Sequence, residues 1–534
     1  MLFSLGLHAQ VPNKAKVIAG AERAFEKAAK AVTMPAPGCA VGVSLNGESV
    51  FEKAFGLAEM EHNIPNTAQT IFESGSVAKQ FTAAALVLLQ QEGKLNIDDP
   101  VRKYIPELPD YGAPLTIRHL LNHTAGLRDW GSVMSLTGAG RGDRVISQGL
   151  AVDVVLRQKH LDFKPGAEYS YSNSGYQLAA EIVERVTKQK FPAFVEDRLF
   201  KPLGMTKSST RDDYSRLVQG RAQAYSRQGN GPWRLNMPFM NVYGNGGMLT
   251  TVGDWLKWNA MLEARTWNAA LVDALETQGV LNDGRKITYA LGLVVDKYKG
   301  IKDVSHGGST AGYQTFLARY PDQKLSVAVL CNGTSPSAGT LAASVTDEIL
   351  GPFPEGPKPP EGTKVPEEQL KKYAGIWKND VTRNVNPMTL DKGELKIGNT
   401  ALKPQPDGSF VLGAANLRFA DGSPLTAAIT NPDGSVSRLT QVPEWKPVAT
   451  ELDEFKGDWH SDEAQAAFTF DIEGEKAFMV QRPTTKLPLT PVYKDHFSTQ
   501  GYVVWVTRDK AGKIDKLHVG GSRMRDMLFE RVKK

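Results

Sequence analysis

Apolar residues recur at helical spacing over residues 14–31, and the run stops before Pro35 and Pro37. This predicts an amphipathic helix ended by the prolines. The period then changes. Two strand-like runs, 39–45 and 49–55, flank Asn46-Gly47, a dipeptide favoured in two-residue hairpin turns because both positions take positive φ. From Val77 to about Leu275 the pattern is mainly helical, most clearly at 117–122, 175–186 and 252–262. Strand signals return at 313–320 and 324–331, and a last helix is predicted over 338–350. Strands at both ends of a region with helices between them predict one sheet built from the two ends of a domain.

The pattern changes again after Gly351-Pro352-Phe353-Pro354-Glu355-Gly356-Pro357, a linker by composition. Short alternating runs punctuated by Asn-Pro, Asp-Gly and Lys-Asp follow, which predicts all-β structure. An internal echo is present. Leu370, Tyr373, Gly375 and Trp377 match Leu452, Phe455, Gly457 and Trp459 at the same offsets. Two small related β-barrels are the natural reading, and one larger β-domain is the alternative. The expected organisation is 1–13 as a signal-peptide remnant, 14–350 as a first domain, 351–366 as linker, and 367–447 and 448–534 as two barrels.

Composition narrows the class. At 534 residues the chain is too long for one ordinary domain. The net charge of +5 is small and the basic residues are scattered, so nucleic-acid binding is not indicated. No run is long and apolar enough to predict a membrane span. The first residues, Leu2 to Ala9, are apolar but lack a basic start. They read as a signal-peptide tail cut after Ala9, hence a periplasmic or secreted protein, or as a ragged terminus of a cytoplasmic one. Cys39 and Cys331 both lie in apolar strand-like runs, and the default is two buried free thiols. A bridge needs the two strands to be neighbours.

Ser76-Val77-Ala78-Lys79 opens a long apolar helical run. Residues i and i+3 share a helix face, so Lys79 would stand beside Ser76. A serine hydroxyl is a weak nucleophile until a base takes its proton, and a lysine can be that base. A chain of this length holds about two Ser-x-x-Lys strings by chance, so the string needs company. Tyr171-Ser172-Asn173 follows a Pro165-Gly166 turn and precedes a predicted helix; its tyrosine can shuttle a proton and its asparagine can hold a carbonyl or a lysine. His306-Gly307-Gly308-Ser309 introduces a strand, and its glycines admit close backbone approach. Tyr243-Gly244-Asn245 and His518-Val519-Gly520 compete for the same patterns. Order and domain favour the first of each. His119 and His123 lie four apart, but no acidic third ligand has convincing spacing, so no metal site is predicted.

Ser-x-x-Lys, Tyr-x-Asn and His-x-Gly in this order resemble the serine β-lactamase-like superfamily. The branch is that of class C β-lactamases, D-aminopeptidases, DD-carboxypeptidases and family VIII esterases. Residues 115–127, Gly246 to Thr251 and His306 to Tyr313 strengthen the resemblance, which covers about residues 15–350. It implies an α+β fold, an antiparallel sheet with a helical subdomain and the site between them. It implies Ser76 as the acylated nucleophile, with Lys79 and Tyr171 sharing proton transfer. Asn173, His306, Gly308 and Ser309 would line the substrate, and the amides of Ser76 and Ser309 would form the oxyanion hole. No cofactor or metal is implied.

His306 stands where most β-lactamases of this group carry a lysine. A histidine is largely neutral at pH 7 and cannot serve as a fixed cation for a substrate carboxylate. β-Lactamase and DD-carboxypeptidase activity rank lower for that reason. D-Aminopeptidases of the superfamily carry two lipocalin-like barrels after the catalytic domain, which matches this layout. The expectation is a serine hydrolase of small amides or short peptides, with a carboxylesterase as the alternative and a non-catalytic ligand-binding protein below both. A homo-oligomer is left open.

Overall fold

The computed structural model describes residues 10–138, 144–353, 363–482 and 485–532. Residues 1–9 of the expected leader and 354–362 of the linker lie outside the described residues. The chain forms two compact units. The first comprises Met1–Gly126, Gly140–Leu156 and Phe163–Gly356; the second comprises Leu127–Ala139, Arg157–Asp162 and Pro357–Lys534.

The elements that matter in the first unit are α1 (Lys14–Ala31), β1 (Cys39–Leu45), β2 (Glu48–Phe55), α2 (Lys79–Gln91), α3 (Asn173–Thr187) and α4 (Val252–Ala264). They are followed by β3 (Val294–Tyr298), β4 (Ile301–Thr310), β5 (Tyr313–Tyr320), β6 (Leu325–Cys331) and α5 (Ala338–Leu350). The six strands form one antiparallel sheet in the order β3-β4-β5-β6-β1-β2. The two ends of the domain therefore meet at β6 and β1, as the strand pattern predicts. Asn46 and Gly47 both take positive φ, +52° and +79°, and close the β1–β2 hairpin.

Every residue of β1 and β6 is buried, because helices cover both faces. Val17, Ala21 and Ala24 of α1 and Leu341, Ala342 and Val345 of α5 pack on one side with Val41, Val43, Val327 and Val329. Burying one such valine or leucine is worth about 1.5–3 kcal/mol. On the other side α4 presses against Gly42, where a Cβ would fall 3.0 Å from Val252 and 3.1 Å from Leu256. Asn13 caps α1 by accepting the Lys16 amide at 2.8 Å.

The free-thiol expectation for the cysteines is corrected here. The β1–β6 register sets Cys39 directly opposite Cys331, and the two form a disulfide. Both apolar runs are neighbours in the sheet, which spacing along the chain does not reveal.

The second unit is almost entirely β. Nine antiparallel strands between Gly375 and Val442 form an open sheet whose edges, Thr400–Ala401 and Lys403–Pro404, are adjacent in the chain. Eight more, from Gly457–Ser461 to Met524–Arg531, form a closed barrel. The sequence echo is structural. Trp377 and Trp459 are fully buried, and each donates its indole N–H to the carbonyl four residues earlier, Tyr373 at 2.8 Å and Phe455 at 3.4 Å. Gly375 and Gly457 take matching φ values of +133° and +140°, a region that favours glycine.

The stretches 127–139 and 157–162 belong to this unit through buried polar contacts. Arg128 donates to Glu463 at 2.7 Å, Asp129 N–H to the Arg523 carbonyl at 2.8 Å, and Arg525 N–H to Asp162 at 3.0 Å. No helix among the described residues is long and apolar enough to cross a membrane.

Candidate active site

Ser76 lies in a 3-10 turn, Gly75–Ala78, that runs directly into α2. Gly75 has φ +52°, and a Cβ there would fall 2.5 Å from the Ser309 amide nitrogen. Glycine is needed for both reasons. The turn is pinned from several sides. Ser74 N–H donates to the Met248 carbonyl at 2.8 Å, and Thr315 Oγ1 donates to the Ser74 carbonyl at 2.7 Å. Just before it, the buried Glu73 accepts two hydrogen bonds from Arg211, at 3.0 and 2.7 Å, and one from Arg221 at 3.2 Å. Removing one member of such a buried pair typically costs about 3–5 kcal/mol. The loop that carries Ser76 is therefore held by buried contacts on several sides.

Lys79 is fully buried. Its Nζ lies 3.1 Å from Ser76 Oγ, 2.9 Å from Asn173 Oδ1 and 2.7 Å from the Asn245 carbonyl oxygen. As an ammonium it has three N–H groups for these three oxygens. As a neutral amine it gives its two N–H groups to the carbonyls of Asn173 and Asn245, and its lone pair faces Ser76 Oγ. The arrangement therefore accommodates both ends of a proton transfer between serine and lysine.

Asn173 is the first residue of α3, whose cap Ser172 accepts the Ser174 amide at 3.3 Å. That start places Tyr171 immediately outside the helix. The Tyr171 ring centroid is 5.0 Å from Lys79 Nζ, and the His123 ring backs it at 4.1 Å. His123 has φ +61° and accepts the Ser172 amide at Nδ1, 3.3 Å. His119 is spent elsewhere, its Nδ1 accepting the Thr116 amide at 3.2 Å in a capping box.

β3 pairs only with the Ile301 to Ser305 half of β4. The segment from His306 to Thr310 thus has β5 on one side and presents its other edge toward Ser76. A Cβ on Gly308 would fall 2.1 Å from the Ser74 carbonyl and 3.1 Å from the Ser76 amide nitrogen. The backbones at Ser76 and Ser309 consequently run close together, and their amides would be the donors for an oxyanion formed there. His306 is buried, with Nε2 at 2.8 Å from Tyr289 Oη and Nδ1 at 2.6 Å from the Gly307 carbonyl. Burial, and then the charge of Lys79, push its pKa down to about 4. The ring is neutral at pH 7.

All seven residues expected from sequence, Ser76, Lys79, Tyr171, Asn173, His306, Gly308 and Ser309, thus come together in the first unit. The competing tyrosine does not join them: Tyr243 Oη donates to Glu184 at 2.8 Å, and burial with that carboxylate raises its pKa well above the phenol range. Its neighbour Asn245 does join them, through a backbone carbonyl that no side-chain pattern announces. His518 lies in the closed barrel with Nδ1 2.8 Å from Asp526. Sequence reasoning also missed His123 and Tyr289, which support the site through ring contacts and a hydrogen bond each, His123 to the Ser172 amide and Tyr289 to His306. Among the described residues, Glu59, Glu61 and His62 are the one group of three side chains close enough to share a metal ion. They belong to a largely exposed surface turn, and Glu59 already holds His62 at 2.7 Å.

A family model described as "Beta-lactamase" matches residues 25–350. A penicillin-binding protein of Bacillus subtilis (strain 168) is 30% identical over 305 residues, 54% of this chain and 66% of its own length. The chain thus spans just under two thirds of that relative. A D-aminopeptidase of Cereibacter sphaeroides is 27% identical over 463 residues, 83% of each chain. The structure of the octameric penicillin-binding protein homologue from Pyrococcus abyssi shares the fold with a TM-score of 0.56 at 21% identity, covering 96% of this chain and 99% of its own. With the family model spanning the whole of the first sheet and every residue gathered around Ser76, the chain belongs to the beta-lactamase family.

Proposed function

We propose that the protein is a serine amide hydrolase of the D-aminopeptidase kind, acting on small amides or short peptides through an acyl-enzyme on Ser76. The observation that carries this reading is the placement of Lys79 Nζ, 3.1 Å from Ser76 Oγ with two further hydrogen bonds to carbonyl oxygens. In the proposed reaction Ser76 Oγ bonds to the substrate carbonyl carbon, and its proton passes into the Lys79–Tyr171 pair. The Ser76 and Ser309 amides hold the oxyanion. The C–N bond then breaks and the amine leaves with the proton. Water repeats the sequence on the ester, releasing the acid and restoring Ser76.

The choice of amides rests on the relative matched over most of both chains, a D-aminopeptidase. The neutral His306 supports it further, since it offers no fixed cation to a substrate carboxylate. The test is kcat/KM for D-alanine p-nitroanilide against p-nitrophenyl butyrate, with Ser76→Ala as the blank. Anilide turnover lost in the blank is the expected result. Ester turnover alone moves the reading to a carboxylesterase, and turnover surviving in the blank rejects both. Export is proposed with it, because the Cys39–Cys331 disulfide suits an oxidising compartment. Cell fractionation that finds the protein in the cytosol with both thiols reduced would overturn that part.

A further inference from the structure

The turn from Tyr289 to Leu293 touches two members of the site at once. It is closed by Ala290 N–H donating to the Leu293 carbonyl at 2.8 Å and tied down by Gly279 N–H on the Tyr289 carbonyl at 2.9 Å. Gly292 within it has φ +76°, and a Cβ there would fall 2.7–2.8 Å from the Lys79 carbonyl group and the Gln80 amide. The turn therefore abuts the backbone at the start of α2. Tyr289 itself is 2% exposed and sends its hydroxyl to His306 Nε2.

The contacts of the His306 ring favour one assignment for the neutral imidazole. A carbonyl oxygen only accepts, so the 2.6 Å contact to the Gly307 carbonyl requires a proton on His306 Nδ1. In a neutral ring Nε2 is then bare and takes a hydrogen bond from Tyr289. Burial holds the Tyr289 phenol far above its usual pKa, so it remains a donor at any working pH. An imidazolium would turn the Tyr289 proton away from the ring and onto Tyr176, whose side chain also hydrogen-bonds Tyr289, and burial beside Lys79 disfavours that charged state.

We propose that Tyr289 is a positioning residue whose hydroxyl fixes His306 as the neutral Nδ1–H tautomer, so that His306 adds no second positive charge beside Lys79. The groups that face the His306 ring are consistent with this. Lys79 comes from α2, the Tyr171 ring from the approach to α3 at 6.3 Å, and Tyr289 from the turn. Its partner across β5, Leu317, is apolar. Lys79 supplies the charge, and Tyr289 stays a neutral phenol. A protonated His306 would hold Lys79 in a field that disfavours its own charged form and alters every proton transfer at Ser76.

The kinetic consequence rests on the proposed serine hydrolase reading; the tautomer does not. Tyr289→Phe keeps the ring and deletes the donor. With ¹⁵N-histidine labelling and His306→Gln to assign the signal, the natural protein should show Nδ1 protonated and Nε2 unprotonated from pH 5 to 8. Tyr289→Phe keeps the Gly307 contact and should populate the imidazolium at the acid end of that range. The acid limb of kcat/KM should move up by about one pH unit. The loss should be about threefold greater at pH 4.5 than at pH 8.5, and Tyr289→Phe in a His306→Gln background should not shift the limb. A protonated Nε2 in the natural protein overturns the proposal. So does a Tyr289→Phe loss that is equal at every pH, which would mark a purely structural role. If the natural protein turns over no substrate, the function reading fails while the resonance measurement still decides the role of Tyr289.

Discussion

Lys79 Nζ and Ser76 Oγ stand 3.1 Å apart, joined by one tight turn of backbone that passes from a 3-10 helix into α2. A base at this position must be able to lose its proton. Lys79→Arg keeps the positive charge and the hydrogen-bonding capacity but cannot deprotonate. It is expected to lose at least about 1000-fold in kcat with little change in melting temperature. Near-normal turnover in Lys79→Arg, measured with the fold verified by circular dichroism, would remove Lys79 from proton transfer.

The two tyrosines of the competing strings should separate cleanly. Tyr171→Phe removes the hydroxyl of a ring whose centroid lies 5.0 Å from Lys79 Nζ, and kcat should fall by about 100-fold or more with stability unchanged. Tyr243→Phe removes a hydrogen bond to Glu184, 2.8 Å long, and should cost about 1 kcal/mol of stability with kcat retained. Steady-state kinetics and urea unfolding on both variants check this, and an exchanged pattern would reassign the active-site tyrosine.

Gly308 has no room for a side chain. Its Cβ would meet the Ser74 carbonyl at 2.1 Å, a backbone atom that cannot rotate away. Gly308→Ala should push β4 away from the Ser76 turn and lose about 100- to 1000-fold in kcat, the range seen when an oxyanion donor is removed. Gly93→Ala, at a glycine with no atom near its Cβ, is the control for local strain. Equal activity in the Gly308 and Gly93 variants would show that the gap between Ser76 and Ser309 is not used.

His306 also predicts how stability follows pH. Its folded-state pKa is about 4 against an ordinary value of 6.5. Between those values the unfolded chain binds a proton that the folded protein does not, so stability rises with pH across the window. The contribution is complete above pH 6.5 and is lost as pH falls toward 4. His306→Gln should flatten the dependence by about 3 kcal/mol over that range in denaturant titrations. Asp303, raised to about 6 by burial, acts with the opposite sign, and His496, lowered to about 4, with the same sign. The comparison with the variant isolates His306 from both. An unchanged slope would mean that the ring is solvated and free to protonate.

Much of the site was legible because its chemistry is written in short strings. Ser76 and Lys79 are three apart, so the local turn alone brings them together. Tyr171 and Asn173 are placed by a capped helix start that the sequence marks with Ser172. The ends of α1, β1, β5 and α5 match the sequence pattern to the residue, because prolines after α1, an Asn-Gly turn after β1 and a Gly-Pro pair after α5 bound the runs. What escaped has a physical reason in each case. The Asn245 carbonyl acts through backbone, which every residue has. Tyr289 acts through the 2.8 Å bond to a residue seventeen positions on, across a sheet edge. The disulfide depends on register between strands that are 292 residues apart in the chain. The membership of 127–139 in the second unit depends on buried ion pairs, such as Arg128 with Glu463, that leave no local pattern.

The central claim is that Ser76 carries the acyl group. Intact-protein and peptide mass spectrometry after reaction with a fluorophosphonate tests it most directly. The account predicts one stoichiometric adduct located on Ser76, loss of hydrolytic activity in step with labelling, and no adduct in Ser76→Ala. An unlabelled Ser76 in protein that hydrolyses substrate, or activity that survives in Ser76→Ala, would contradict it.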